Sequence, residues 1–395
     1  MSMNTLEKID FKNKKAVIRV DFNVPLDNKF KVTDNTRIKA AMPTIQYILS
    51  NGGSCILISH LGRPKNIEAK YSLKHIVKEV EKVLGKEIIF FNDCIGEKAE
   101  NISSNLRPGE VLLLENLRFY NQESQGDKDF SKKLSRHGTV YVNDAFGTAH
   151  RAHASTTIMA KYFSEKCFGK LLEKEIFAVR NVTVSGKRPV LAIIGGAKVS
   201  SKITIIENIL KKVDHLIIGG GMAYTFIKAS GGKIGESLCE NDYLEYTKKL
   251  VINAKKNNVK LHLPVDVYGA NSFSNNAKKQ VFDINKIPSG WMGLDCGPKS
   301  LKVFKKTILL SKTILWNGPL GVFEFPNFAN GTIKVGEYIS QATIKGAFSL
   351  VGGGDSVSAV KKFGFENKVS YVSTGGGAML ESLEGKVLPG IKALL

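Results

Sequence analysis

Short aliphatic runs alternate along the chain with stretches whose apolar residues fall three and four positions apart. This alternation is the tightest constraint on the fold, because a strand pattern and a helix pattern bury different sets of side chains. Residues 15–22, 54–59, 88–91, 111–114 and 139–143 read as strands, and 42–49 and 73–84 have helical spacing. A second series begins at Arg188. Its strands are 190–194, 215–218, 260–264, 313–316, 348–351 and 369–372, and its helices 202–212, 242–257, 332–343 and 356–363. Continuous apolar strands between helices indicate mainly parallel sheets covered on both faces. The expected fold class is α/β: two Rossmann-like three-layer α/β/α domains separated by a hinge and cleft. A length of 395 residues fits two cores better than one. The junction is placed in the charged segment 166–187, giving domains 1–168 and 169–379.

Charge and cysteine usage narrow the class. The chain carries 57 Lys+Arg against 36 Asp+Glu, a net charge of +21. Such a balance fits a polyanion, a phosphorylated metabolite or simply a lysine-rich surface. The lysines are scattered or paired, without a basic tail. No RNP-like motif, helix-turn-helix or zinc spacing supports nucleic acid as a partner. The five cysteines are far apart and form no CxxC pair, which argues against a disulfide framework and a cysteine zinc site. No run reaches the ~20 apolar residues that a membrane helix needs. With no apolar h-region near the N-terminus, a cytoplasmic protein without a membrane partner is expected.

The two halves differ in the residues at the ends of their strands. In the first, the strand ends are polar and charged: Asp21 and Asn23, then Arg37, His60 and Arg63, Arg118, and finally His150 and Arg151. Open α/β sheets bind ligands beyond the carboxyl ends of their strands. Arginines recurring there suit phosphate or carboxylate, which the planar guanidinium grips through two N–H groups. Any one of these residues alone could be a solvated loop charge; the recurrence is what carries weight. Asp21 is the acid placed to orient an arginine or accept a substrate hydroxyl.

In the second half the strand ends are glycine clusters, at 195–196, 219–221, 352–354 and 375–377. Glycine lets a backbone approach a ligand closely, and its amides can cradle phosphate at a helix start. Four such clusters point to a nucleotide. There is no GxxxxGK[ST] P-loop and no early GxGxxG. Lys198 and Lys202 lie four apart at a helix start and would share a face. Asp355 follows three glycines and is the candidate Mg²⁺ ligand, because nucleotide-bound Mg²⁺ is usually held by only one or two carboxylates. Ser356 would cap the next helix, and Glu324 is a candidate for ribose hydroxyls.

Several segments then resemble the phosphoglycerate kinase family: Arg19-Val-Asp-Phe-Asn-Val-Pro25, Ser59-His-Leu-Gly-Arg-Pro64, Leu114-Glu-Asn-Leu-Arg-Phe119 and Asp144-Ala-Phe-Gly-Thr-Ala-His-Arg-Ala-His-Ala-Ser155. So do Gly195-Gly-Ala-Lys-Val-Ser-Ser-Lys202, Trp316-Asn-Gly-Pro-Leu-Gly-Val-Phe-Glu324, Gly352-Gly-Gly-Asp355 and Ser373-Thr-Gly-Gly-Gly377. The resemblance implies a monomeric glycolytic kinase that moves phosphate reversibly between 1,3-bisphosphoglycerate and MgADP, giving 3-phosphoglycerate and MgATP. It implies that Asp21, Asn23, Arg37, His60, Arg63, Arg118 and Arg151 hold the triose. It places ATP or ADP with Mg²⁺ on Gly195, Lys198, Lys202, Gly219, Gly293, Asn317, Pro319, Glu324, Gly352, Gly353, Asp355 and Ser356, with Asp355 on the metal. Arg37, Lys198, Gly353 and Gly376 are the expected catalytic set, with Gly377 assisting. The segment 380–395 is expected to pack back on the first domain. Another ATP-using kinase or ligase with an acidic substrate is the rival reading.

Overall fold

A computed structural model describes residues 4–395. The chain divides into two compact units, one of residues up to Ile176 together with Val387–Leu395, the other Phe177–Lys386. The division falls inside the helix Lys170–Thr183.

The first unit is built on β1 (Lys15–Arg19), β2 (Ser54–Ile58), β3 (Ile89–Phe91), β4 (Val111–Leu114), β5 (Val140–Asn143) and β6 (Glu165–Phe168). They form one parallel sheet in the order β3-β4-β2-β1-β5-β6. From β1 the chain passes through β2, the edge strand β3 and then β4 on one side before crossing to β5 and β6 on the other. One sheet face buries Ala16, Ile18, Cys55, Leu57, Val140 and Val142 against Ile38, Ile45 and Ile48 of the helix Thr36–Ser50. Side chains alternate along a strand, so Val17, Arg19 and Tyr141 point to the opposite face, where they are also buried. The helix Thr36–Ser50 begins six residues before the start expected at 42. Pro43 marks a helix start in sequence terms, yet here it sits inside the helix on its exposed side. The buried apolar stripe holds the helix together across it. In the C-terminal segment Gly390 donates its N–H to Ala149 O at 2.8 Å, and Leu388 and Leu394 are buried.

The second unit contains β7 (Val190–Ile194), β8 (His215–Ile218), β9 (Lys233–Ile234), β10 (Lys260–His262), β11 (Asp266–Ala270), β12 (Lys279–Asp283), β13 (Lys286–Ile287), β14 (Met292–Cys296), β15 (Thr313–Asn317), β16 (Phe348–Val351) and β17 (Tyr371–Val372). Its main sheet is parallel, in the order β10-β8-β7-β15-β16-β17. This is the doubly wound order, with the direction reversing between β7 and β15. Trp316, Ile314, Leu191 and Ile193 pack against Phe304 and Ile308 of helix Pro298–Leu310 and Val335 and Ile339 of helix Asn330–Ile344. Two smaller sheets, β12-β11-β14 and β13-β9, were not anticipated from the sequence. β9 and β13 have two residues each, β12 is almost wholly exposed, and β11 and β14 are interrupted by Asp266, Gly269, Gly293 and Asp295, so neither apolar continuity nor clean alternation marks them. The charged segment 166–187 holds most of β6 and all of the helix Lys170–Thr183, whose apolar spacing over 171–179 is legible in the sequence. β6 is an edge strand, where charged residues such as Glu165 and Lys166 are tolerated.

Both tryptophans, Trp291 and Trp316, belong to the second unit, so their fluorescence reports on that unit alone. Phe304 is fully buried. Phe304→Ala is expected to cost about 3–5 kcal/mol, seen as a lower urea midpoint of the tryptophan signal.

Candidate functional site

In the first unit, the expected residues gather beyond the carboxyl ends of β1, β2, β4 and β5. The direction of the sheet reverses between β1 and β5, and such a reversal leaves a crevice between neighbouring loops. Asp21 is buried and pairs with Arg37 at 3.1 Å (Oδ2 to Nη1). The same nitrogen of Arg37 donates to Asn23 O at 3.0 Å. Asn23 Oδ1 accepts the N–H of Gly62 at 2.8 Å, and Arg118 Nη1 donates to Gly62 O at 2.6 Å. The loops after β1, β2 and β4 are thus tied together by the residues they carry. Arg63, Arg118, Arg151, Asn121 and His153 line a cavity of about 240 Å³.

Burial and the gathered positive charge both act on the ionisable groups here. Burial, reinforced by Arg19 and Arg151, pushes the Arg118 guanidinium down to about 10, which leaves it charged at neutral pH. Burial and the charges of Arg19, Arg118 and Arg37 hold His60 well below the usual histidine range. His153 is pushed down to about 4 by burial and by Arg118, Arg19 and Arg151. Both imidazoles are neutral donors or acceptors at pH 7, while the arginines supply the charge that attracts an anion.

In the second unit the β7 and β15 ends meet backbone to backbone. Gly195 donates to Asn317 O at 2.9 Å and Gly196 to Pro319 O at 3.0 Å. A Cβ on Gly195 would lie 2.1 Å from Pro319 O, and one on Gly318 2.2 Å from Gly195 O. No other residue type fits at either position. Asn317 is the polar hub of this junction: it accepts from Lys202 Nζ and donates to Gly352 O at 2.7 Å. Ser356 Oγ accepts the N–H of Gly318 at 2.5 Å. A cavity of about 650 Å³ opens beside the junction. Gly196, Gly220, Gly221 and Pro319 line it, and its remaining wall is largely apolar, with Tyr224, Leu238, Phe273, Met292, Leu320 and Phe325 among the contributors. Glu236, Glu324 and Asp355 are its carboxylates. An apolar slot with a glycine wall is a surface that can take a flat ring and let a ligand approach the backbone closely.

The phosphoglycerate kinase family model matches residues 6–386. A phosphoglycerate kinase of Porphyromonas gingivalis is 53% identical over 415 residues, covering 99% of both chains. The cytosolic enzyme of Triticum aestivum is 50% identical and covers all of this chain and 98% of its own. The chain belongs to the phosphoglycerate kinase family. Among solved structures, the Coxiella burnetii phosphoglycerate kinase superposes with a TM-score of 0.92 at 40% identity, covering 100% and 99% of the two chains. The Pyrococcus horikoshii enzyme gives 0.83 at 30%, covering 99% and 98%. This membership carries with it a kinase of the ATP-using, glycolytic class.

Not every expected residue plays the same geometric part. Gly293, Pro319, Glu324 and Asp355 face the large cavity. Gly219 instead packs on the Leu320 side chain, where a Cβ would come within 2.7 Å, and its neighbours Gly220 and Gly221 form the wall. Gly352 packs in the same way against Met379. Lys198 is exposed, whereas Lys202 is largely buried and its ammonium is lowered by desolvation. Gly353 and Gly376 both have positive φ, 92° and 50°. In the first unit His150 accepts from Arg151 Nε at 3.2 Å and so holds that arginine, while His153 lines the cavity. Sequence reasoning overlooked His153, Arg19 and the apolar wall of the large cavity. His153 lay within a motif already singled out, and its spacing from Arg151 was the available signal.

A neutral His153 also makes a pH prediction. Its folded-state value lies near 4, against an ordinary 6.5, so the unfolded chain binds a proton that the folded one refuses. Its contribution to stability is complete above 6.5 and is lost as the pH falls toward 4. Replacing it by glutamine is expected to flatten the decline of stability over that interval, measured by urea unfolding at a series of pH values.

Proposed function

We propose that this chain catalyses reversible phosphoryl transfer from 1,3-bisphosphoglycerate to MgADP, giving 3-phosphoglycerate and MgATP. The observation that carries the reading is a pair of dissimilar cavities, arginine-lined in one unit and apolar with glycine walls in the other, within a chain of this family. One suits a small phosphorylated acid and the other a nucleotide. Assay with 3-phosphoglycerate and MgATP, coupled to consumption of the acyl phosphate, is expected to show turnover. Turnover only with a different small carboxylate would support the rival kinase.

On this reading Arg63, Arg118 and Arg151 grip the distal phosphate, and Asp21, Asn23, Arg37 and His60 orient the acid. Gly195, Gly219, Gly293, Asn317, Pro319, Gly352 and Ser356 shape and support the nucleotide site, and Glu324 meets the ribose. Lys202 keeps Asn317 oriented. Asp355 is exposed to the cavity in the first turn of helix Gly354–Lys362. No group of three or more His, Cys, Asp or Glu side chains suited to a metal exists among the described residues. A lone carboxylate fits Mg²⁺ that arrives on nucleotide phosphates and keeps most of its waters. The ion would neutralise phosphate charge there.

The chemistry breaks the bond from the acyl oxygen to phosphorus and forms one from the ADP β-phosphate oxygen. The nucleophile in either direction, the ADP β-phosphate oxygen or the 3-phosphoglycerate carboxylate, is already ionised at neutral pH, so no general base is needed. Catalysis then consists of in-line positioning and compensation of charge on the transferring group. Arg37 and Lys198 are assigned to its equatorial oxygens, with the amides of Gly353, Gly376 and Gly377 assisting. The two substrates must meet with water excluded, because acyl phosphates hydrolyse. The reading therefore carries a closure step, with 166–187 and the region of Gly375 as hinges. It also carries a monomeric enzyme.

Two substitutions separate the roles. Arg37→Ala is expected to lower kcat by about 10²-fold or more, with nucleotide affinity by calorimetry unchanged. Normal kcat would remove it from the transition state. Asp355→Asn is expected to weaken MgATP binding about tenfold while sparing Mg-free ATP; equal affinity for both would reject it as the metal ligand.

A further inference from the structure

Behind His60 runs a buried polar chain that none of the substrate roles above requires. Arg19 is the last residue of β1 and only 1% exposed. Its register partner on β5 is Asn143, next but one to Tyr141 on the same sheet face. Among the described residues, no carboxylate is hydrogen-bonded or ion-paired to it directly. Its Nη1 donates to Val20 O, its Nε to Ser155 Oγ at 2.9 Å, and its Nη2 meets His60 Nδ1 at 3.2 Å. Ser155 Oγ in turn donates to Glu123 Oε1 at 2.5 Å, and Ser155 N–H donates to Glu123 Oε2 at 3.0 Å. Glu123 is also 1% exposed. Tyr141 OH donates to Ser155 O at 2.7 Å and fixes that segment from the sheet side. The buried arginine is thus compensated by a carboxylate one hydroxyl away.

Guanidinium has donors and no acceptor. His60 Nδ1 must therefore accept from Arg19, and the ring's proton must sit on Nε2. We propose that Glu123 and Ser155 are positioning residues: acting through Arg19, they lock His60 as the neutral, Nε2-protonated tautomer and so present an N–H donor to the bound acid. The groups that bear on His60 are Arg19, Arg118, Arg37 and His153. The three arginines all oppose a second proton on the ring, and His153 does so when protonated. The serine is essential to the geometry because its hydroxyl both accepts from Arg19 and donates to Glu123. The inference rests on the proposed reaction only for the identity of the acid that His60 meets.

The test reads the ring directly. In ¹⁵N-histidine-labelled protein, with the His60 signals assigned by their loss in His60→Gln, the Nε2-protonated pattern is expected to persist from about pH 5 to 8. An Nδ1-protonated ring, or an imidazolium titrating in that range, would overturn the proposal in the unaltered protein. Ser155→Ala is expected to give a mixed tautomer and raise KM for 3-phosphoglycerate about tenfold, with KM for MgATP within about twofold. Glu123→Gln keeps an acceptor and removes the charge, and should move both readouts in the same direction. Ser155→Thr, which restores the hydroxyl, should reverse them. A folded Ser155→Ala protein with an unchanged ring and unchanged KM would refute the relay. The ring signals need no turnover, so a correct tautomer without kinase activity would count against the proposed reaction and leave the relay standing.

Discussion

Backbone contact at the centre of the second unit's sheet is the constraint on which that unit depends. β7 and β15 are neighbours from which the chain departs in opposite directions. Their ends are pressed together so closely that neither Gly195 nor Gly318 has room for a Cβ. That approach brings Asn317 between Lys202 and Gly352, places Ser356 under Gly318, and leaves the glycine wall of the cavity facing outward. A methyl group at the junction would push the two strand ends apart and disturb every one of these contacts. A phosphate site on this wall, as proposed above, would be a by-product of how the sheet reverses, in line with ligand sites at switch points generally.

The first unit solves the same topological problem with charge in place of glycine. At its reversal, between β1 and β5, the chain buries Arg19 and ranges Arg37, Arg63, Arg118 and Arg151 around it. Like charges so close would repel one another, and several devices offset that cost. Asp21 pairs with Arg37, backbone carbonyls of Asn23 and Gly62 accept from arginines, Glu123 compensates Arg19 through Ser155, and the histidines remain neutral. What remains uncompensated faces the cavity, where an anionic ligand would complete it. Few of the chain's 57 basic residues are used in this way. Others, such as Lys299, Lys302, Lys305 and Lys306 on helix Pro298–Leu310, are simply exposed.

The parallel sheets were legible because their central strands are buried on both faces and so appear as unbroken apolar runs; 111–114 and 190–194 coincide with β4 and β7. Polar strand ends and glycine clusters were legible because topology repeats them. The apolar cavity wall was not. Phe273, Met292 and Leu294 reach it from β14 and from the loop before β12, and nothing in their spacing distinguishes a wall residue from a core residue. The Arg19–Ser155–Glu123 chain was hidden for a different reason. It joins residues far apart in sequence, and a buried arginine inside a strand pattern looks like an interruption of it.

The central claim is that each unit carries its own ligand site, acid in one and nucleotide in the other. Calorimetric titration of the intact chain with 3-phosphoglycerate and with MgATP, on the parent protein and on Arg118→Ala and Gly220→Val, tests it most directly. The account predicts one site for each ligand. Arg118→Ala should lose the acid and keep the nucleotide, and Gly220→Val should do the reverse. Competition between the two ligands for one site, or loss of both by either substitution in a folded protein, would contradict it.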